Sequence, residues 1–345
     1  NGEVTPNLYM PPLYGFFLIA LKYLVFDLEK YLFIIFFIQS LLSVTSSYFL
    51  FKLINKFYSH NVSVFMTIFY LFFPLNIYAC TQVSSIIFQS SFFIIFLYYA
   101  VIFLKNEKII YLIFASIFSG LLILLRGEFL AIFLIFLIFI TYKKKIKFLL
   151  IYILVPLIII SPYLIRNYNI FDTLTITKSF GYNLWKGNNY LAKVEGNPGI
   201  FTEKIKKDLS KINDHLKHDL IRDNLFKSYA YNNLLNDPLK YIYLYFKKVI
   251  SLIILDFESS YPNYYNFLHL VPKVLIFFTT ILGIFFYDKK NKYLNLFLFL
   301  YVFYVLLFSL FFILPRYNLA LLPLQILISA SFIDFIISKK FYWKK

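Results

Sequence analysis

The sequence predicts an all-α membrane protein that crosses the bilayer many times. Its 345 residues are 61% hydrophobic and 23% aromatic, and a soluble domain of this size could not keep so much apolar surface away from water. Long apolar stretches alternate with short segments that carry lysines. We therefore expect a bundle of about nine transmembrane helices, each formed by one such stretch.

The predicted membrane helices fall into two regions. Residues 1–165 begin with an interfacial helix at 13–26, which Lys22 interrupts and which is too short to cross the bilayer comfortably. Six spans follow it, at residues 31–51, 62–79, 86–104, 109–125, 129–142 and 148–165. Residues 268–345 supply three more, at residues 268–287, 293–314 and 319–337.

The polar stretch between these regions, residues 166–267, is expected to form one large extracytoplasmic helical loop domain. Spaced apolar positions in residues 202–235 predict amphipathic helices. Asp237 and Pro238 predict the N-cap and first position of another helix, which runs through residue 255. That helix is rich in aromatic residues and lysines, so we expect it to rest on the membrane surface.

The lysine clusters indicate the orientation in the membrane. They mark alternate span ends, at residues 52–56, 105–108, 143–147, 289–292 and 339–345. By the positive-inside rule these ends face the cytoplasm, which predicts a multi-pass protein of the inner (plasma) membrane with the large loop outside. Because the net charge of +17 is carried largely by such clusters, we expect the lipid bilayer as a partner and no nucleic acid.

Three arginines are candidates for binding an anion. Arg126, Arg166 and Arg316 lie at span ends that the orientation places outside the cytoplasm, where the positive-inside rule gives no reason for positive charge. The guanidinium fork suits a phosphate or carboxylate, such as a lipid headgroup. Arginines that merely anchor helix ends at the interface explain the pattern equally well.

Other polar residues have two interpretations each. Glu128 is the best-placed general base, although a simple ion pair with Arg126 is the favoured reading. Gly187, Asn188 and Asn189 follow Trp185 and suit either sugar recognition or an ordinary turn. His215 and His218 have a spacing that suits a metal, but a solvated helix face is favoured, so no metal site is predicted.

Several motifs, in order along nearly the whole chain, are similar to those of one known family of membrane proteins. Pro-Pro-Leu-Tyr at 11–14 is similar to the family's Arg-Pro-Pro-Leu-Tyr segment, and Leu-Leu-Arg at 124–126 to its Leu-Thr-Arg-Pro turn. Residues 161–168, Ser-Pro-Tyr-Leu-Ile-Arg-Asn-Tyr, resemble its Pro-Trp-x-x-Arg-Asn-Tyr segment. The further matches are Gly-Tyr-Asn-Leu-Trp-Lys-Gly-Asn-Asn at 181–189, Asn-Asp-Pro at 236–238 with Lys-Lys at 247–248, and Arg-Tyr at 316–317. Together these motifs resemble a GT-C type glycosyltransferase of the family 39-like group, which includes relatives of protein mannosyltransferases and lipid A aminoarabinose transferases.

The resemblance implies a GT-C-like bundle and transfer of a sugar, with inversion, from a polyprenyl-phosphate-linked donor to an extracytoplasmic glycan, lipid or protein. An acidic residue would deprotonate the acceptor, and cations would stabilise the lipid-phosphate leaving group. Glu128 is a weak candidate for the catalytic role. The implied substrate-binding residues are Arg126, Arg166, Arg316, Tyr14, Asn167, Tyr317, Asn188 and Asn189. The cofactor stays open: a divalent metal is compatible, and no residue pattern implies one.

Two departures from the family pattern concern its acidic residues. The family's principal catalytic aspartate precedes the Pro-Pro-Leu-Tyr segment, and the chain starts at Asn1 just after that place. We therefore expect an N-terminally truncated chain that lacks the first span and first outer loop. A second acidic residue often precedes the third span, where residues 81–86 have none. A lipid-linked glycan transporter or flippase, and a non-catalytic glycan-binding membrane protein, stay open as alternatives.

Overall fold

The computed structural model describes residues 6–141, 146–197, 201–212 and 216–342. Within these ranges the regular structure is helical and contains no strand, which confirms the predicted all-α class. The helices are α1 Pro12–Leu24, α2 Leu28–Ile54, α3 His60–Leu71, α4 Pro74–Cys80, α5 Ile86–Asn106, α6 Ile109–Leu125, α7 Phe129–Thr141, α8 Ile146–Phe171, α9 Phe180–Gly187, α10 Glu203–Ser210, α11 His218–Asn236, α12 Pro238–Ile253, α13 Phe267–Phe286, α14 Lys292–Phe308 and α15 Asn318–Tyr342.

The described helices include five that are long and apolar enough to cross a membrane. They are α2, α5, α8, α13 and the stretch Pro315–Ser338, and the bent pair α3–α4 makes a sixth if it counts as one span. The protein is therefore a polytopic all-α membrane protein. The remaining three of the nine expected spans are shorter apolar helices in the described residues. They correspond to α6, α7 and α14, whose described lengths are 17, 13 and 17 residues, at or below the lower end of the range of about 17–25 residues that crosses a bilayer.

Two predicted spans differ in shape from the expectation. The span at 62–79 is broken by a bend of 51° between α3 and α4. Pro74 is the first residue of α4, where its fixed φ and missing N–H start a new helix rather than continue the old one. The span at 148–165 continues as α8 to Phe171, so Arg166 lies on a helix and not in a loop.

The chain divides into two compact units, which we call the loop unit and the span unit. The loop unit comprises residues 1–12, 161–262 and 304–315, and the span unit comprises residues 13–160, 263–303 and 316–345. The loop unit has its own apolar core. Trp185 is 1% exposed and packs against the rings of Phe226 and Phe201, whose centroids lie 4.8 and 5.5 Å from its own.

Within the span unit, several lysine-bearing helix ends lie together. Lys105, near the end of α5, lies with its Nζ 3.4 Å from the backbone oxygen of Lys56 and 5.2 Å from the ring centroid of Tyr293, near the start of α14. The backbone N–H of Ser59 donates to the Asp334 carboxylate of α15 at 3.1 Å. We call this the lysine end. Helix α6 begins beside it and rises about 25 Å over its length, so Arg126 lies at the opposite, arginine end.

Candidate functional site

Arg126 is the centre of a polar cluster at the arginine end. As the C-cap of α6 it leaves the helix with extended backbone, and its N–H still donates to the oxygen of Leu122. Its Nε lies 3.2 Å from Glu128 Oε1, and its guanidinium carbon lies 4.1 Å from the ring centroid of Tyr317. The Arg126 and Glu128 side chains are only 16% and 25% exposed, so this ion pair is partly shielded from water.

Arg316 shares the same tyrosine ring. A 3₁₀ turn, Pro315–Tyr317, precedes α15 and presents these two neighbouring residues. Tyr317 is buried, whereas Arg316 is exposed with its guanidinium carbon 6.0 Å from the Tyr317 ring centroid. The structure thus brings together Arg126, Glu128, Arg316 and Tyr317. Guanidinium groups beside a tyrosine ring suit an anionic ligand.

Tyr14 makes its contacts elsewhere in the span unit. Its hydroxyl donates to Gln39 Oε1 at 3.1 Å, and its ring packs edge-on against Phe88 with centroids 5.6 Å apart. Gln39 Nε2 donates at 2.9 Å to the backbone oxygens of Cys80 and Gln82. Sequence reasoning missed Gln39. The signal was an amide within a long, largely apolar helix, since a polar group there needs partners within the protein.

Arg166 and Asn167 pair with each other in the loop unit. Arg166 Nη1 donates to Asn167 Oδ1 at 2.7 Å, and Asn167 Nδ2 donates to the backbone oxygen of Thr175 at 2.6 Å. The Arg166 guanidinium also lies 5.4 Å from the ring centroid of Phe171. Asn167 is fully buried. These bonds close the turn that follows α8, so the pair has a structural role whatever else it binds.

Asn188 and Asn189 are buried and bonded to main chain. Asn188 Nδ2 donates to the backbone oxygens of Leu184 and Leu310 at 2.8 and 2.9 Å. Asn189 Nδ2 donates to the backbone oxygen of Asn197 at 2.7 Å, and its Oδ1 accepts from the N–H of Leu191. Both amides therefore hold neighbouring segments of the loop unit together.

Lys248 is a buried lysine that sequence reasoning assigned to no site. It is 0% exposed, and its Nζ donates to the backbone oxygen of Gly187 at 2.8 Å and to Asn188 Oδ1 at 3.0 Å. Burial lowers its pKa to about 7. Its neighbour Lys247 instead pairs with Glu258 at 2.7 Å near the surface. The sequence gives no reason to treat these adjacent lysines differently. They differ because one lies on the buried face of α12 and the other near the surface.

The histidine pair gives no metal site that can be described. His215 lies outside the described residues, and His218 Nδ1 lies 3.8 Å from Asp219 Oδ1. Asp219 is also bonded through Oδ2 to the N–H of Leu8 at 2.8 Å. Among the residues that the structure describes, no group of three His, Cys, Asp or Glu side chains is placed to hold a metal ion.

The comparison with protein families identifies the N-terminal region. Residues 10–165 match the family described as dolichyl-phosphate-mannose-protein mannosyltransferase. The match, which covers less than half of the chain, supports membership of the GT-C type glycosyltransferases. No curated protein and no solved structure matches the chain. The matched residues include Tyr14, Arg126 and Glu128, and the family indicates a membrane glycosyltransferase. Arg316 and Tyr317 lie beyond the matched region, yet both are in the Arg126 cluster.

Proposed function

We propose that this membrane glycosyltransferase takes its sugar from a polyprenyl-phosphate-linked donor and transfers it, with inversion, to a hydroxyl of a glycan, lipid or protein outside the cytoplasm. The observation that carries the proposal is the pair of guanidinium groups beside the Tyr317 ring, 4.1 Å away for Arg126 and 6.0 Å for Arg316. This cluster lies in the span unit at a helix end, where the phosphate of a lipid-linked donor would lie.

The chemistry needs positive charge at the leaving group. The acceptor oxygen attacks the anomeric carbon, the bond to the phosphate oxygen breaks, and the lipid phosphate leaves with the electron pair. Cations held in a partly dry site stabilise that developing charge without having to reorganise. We assign this role to Arg126 and Arg316, while the Tyr317 ring holds Arg126 in place through a cation–π contact.

Glu128 is the acidic residue of this cluster. One of its carboxylate oxygens accepts from Arg126, so we assign the proton of the acceptor hydroxyl to the other. Five further residues remain proposed substrate contacts, but we place them after the Arg126 cluster because their polar groups already bond within the chain: Tyr14, Arg166, Asn167, Asn188 and Asn189.

The side of the membrane follows from the lysine end. If that end faces the cytoplasm, as the positive-inside rule requires, then the arginine end and the reaction face the other side of the plasma membrane. This arrangement supports an acceptor outside the cytoplasm and a donor whose lipid tail stays in the bilayer.

The proposal is tested by transfer assays on membranes that hold the protein expressed from its complete gene. Radiolabelled polyprenyl-phosphate sugars are supplied in turn, and the label in the acceptor fraction is measured. Arg126→Gln should lower transfer by roughly 100-fold or more, as the loss of one oxyanion-stabilising donor does. Arg126→Lys keeps the charge but loses the fork, so we expect an intermediate loss.

Arg222→Gln is the matched control. Arg222 also lies over tyrosine rings, 5.0 Å from the Tyr182 centroid, but in the loop unit. It should retain transfer close to the unmutated level. Absence of transfer from every polyprenyl-phosphate sugar, or full activity of Arg126→Gln at equal expression, contradicts the proposal.

A further inference from the structure

Helix α12 exposes an apolar face, unlike a helix whose outward side meets water. Its outward side carries five large apolar residues, each between 43% and 79% exposed. They lie at i, i+3, i+4, i+7 and i+11, which is one face of an α-helix: Leu239, Ile242, Tyr243, Phe246 and Ile250. Its inward side buries both apolar and polar residues, namely Tyr241, Leu244, Lys248, Ser251 and Leu252.

Helix α10 of the same unit shows the ordinary pattern. Its exposed positions include Glu203, Lys206 and Lys207, and its single buried residue is Ile205. The two helices therefore face different surroundings, although they belong to one compact unit. An outward stripe of this size in water would be an exposed apolar patch of the kind that marks an interaction surface.

We propose that the outward face of α12 lies in the lipid bilayer surface, with the helix in the plane of the membrane and its apolar stripe at the boundary between headgroups and acyl chains. The composition fits this place: aliphatic and aromatic residues form the stripe, and Lys240 and Lys247 lie beside it on the helix. Their Nζ atoms bond to the backbone oxygen of Tyr190 and to Glu258. The spanning helix α13 begins at Phe267, a short linker after α12 ends, so a bilayer lies within reach.

A protein partner is the competing occupant, and depth-dependent fluorescence quenching separates the two. The full chain with Trp343→Phe is reconstituted into vesicles whose lipids carry bromine at carbons 6 and 7 of one acyl chain. A tryptophan is introduced by Phe246→Trp on the stripe or by Lys207→Trp on α10 as the matched control. The signal of Trp185, which is 1% exposed, is subtracted using the Trp343→Phe parent.

Brominated lipid should lower the Phe246→Trp emission roughly two-fold, since an in-plane helix sits about 5–10 Å deep, and acrylamide in the water should have little effect. Lys207→Trp should show the reverse. Tyr243→Trp repeats the measurement at a second stripe position in case the first variant is misfolded. Quenching of the stripe tryptophans by acrylamide and not by bromine, or by neither because protein covers them, overturns the proposal.

Discussion

Lys248 makes the stability of the loop unit depend on pH. Burial lowers its pKa to about 7 in the folded protein, whereas an unfolded lysine has a pKa of about 10.4. Between these values the unfolded chain holds the proton that the folded chain has released, so stability rises with pH across this window. From pH 7 to pH 9.5 the difference amounts to about 3 kcal/mol, because each pKa unit corresponds to about 1.4 kcal/mol.

The assay follows Trp185 fluorescence during urea unfolding in detergent micelles, in the Trp343→Phe background. Trp185 lies in the loop unit core, so its emission reports on that unit. The substitution Lys248→Met keeps a long, unbranched side chain and removes the titrating group. It also leaves the Gly187 oxygen and Asn188 Oδ1 without the donor that Lys248 Nζ supplies. We expect a loss of roughly 2–4 kcal/mol at pH 9.5 for these two buried acceptors.

The decisive comparison is the pH slope, not the absolute stability. Lys240→Met removes an exposed lysine from the same helix and should retain the rise between pH 7 and pH 9.5. Lys248→Met should lose most of it. Equal slopes in the two variants would show that Lys248 stays protonated in the folded protein and would refute the reasoning.

Two further substitutions test the packing of the loop unit. Gly187→Ala should destabilise it by roughly 2 kcal/mol or more, because a Cβ would lie 2.6 Å from the backbone carbonyl of Phe311; Gly15→Ala, with nothing within 4 Å of its Cβ, should be neutral in the same urea titration. Glu195→Gln weakens charge-assisted bonds from two serine hydroxyls and one backbone N–H and should cost about 1–2 kcal/mol. Glu203→Gln, whose carboxylate is exposed and pairs with a lysine one turn away, should change stability by less than about 0.5 kcal/mol. If either control is as costly as its partner, the packing argument fails.

The helices and the lysine end could be predicted because they depend on local sequence. Apolar length, Pro238 after Asp237 and the lysine clusters each act within a few residues. The number of membrane-spanning helices was harder to predict from the sequence. Helix α6 is as apolar as a membrane-spanning helix but has 17 residues. Hydropathy alone does not say how the bilayer accommodates so short a helix.

The candidate site was predicted in its residues but not in its grouping. Arg126 and Tyr317 are far apart in the chain, and only packing of α6 near the start of α15 brings them within 4.1 Å. Likewise nothing local distinguishes Asn188, which is bonded on both sides of its amide, from an asparagine that faces a sugar. Tertiary structure decides such roles, since a polar side chain binds whatever its fold places beside it.

The most direct test of the central claim is binding of the leaving group itself. Purified protein expressed from the complete gene is titrated in micelles with polyprenyl phosphate and, separately, with the uncharged polyprenol of the same length. We predict that the phosphate binds at least about 10-fold more tightly, a difference of about 1.4 kcal/mol, and that Arg126→Gln removes this preference while Arg222→Gln keeps it. Equal binding of the two lipids by the unmutated protein would contradict a phosphate site at the arginine end.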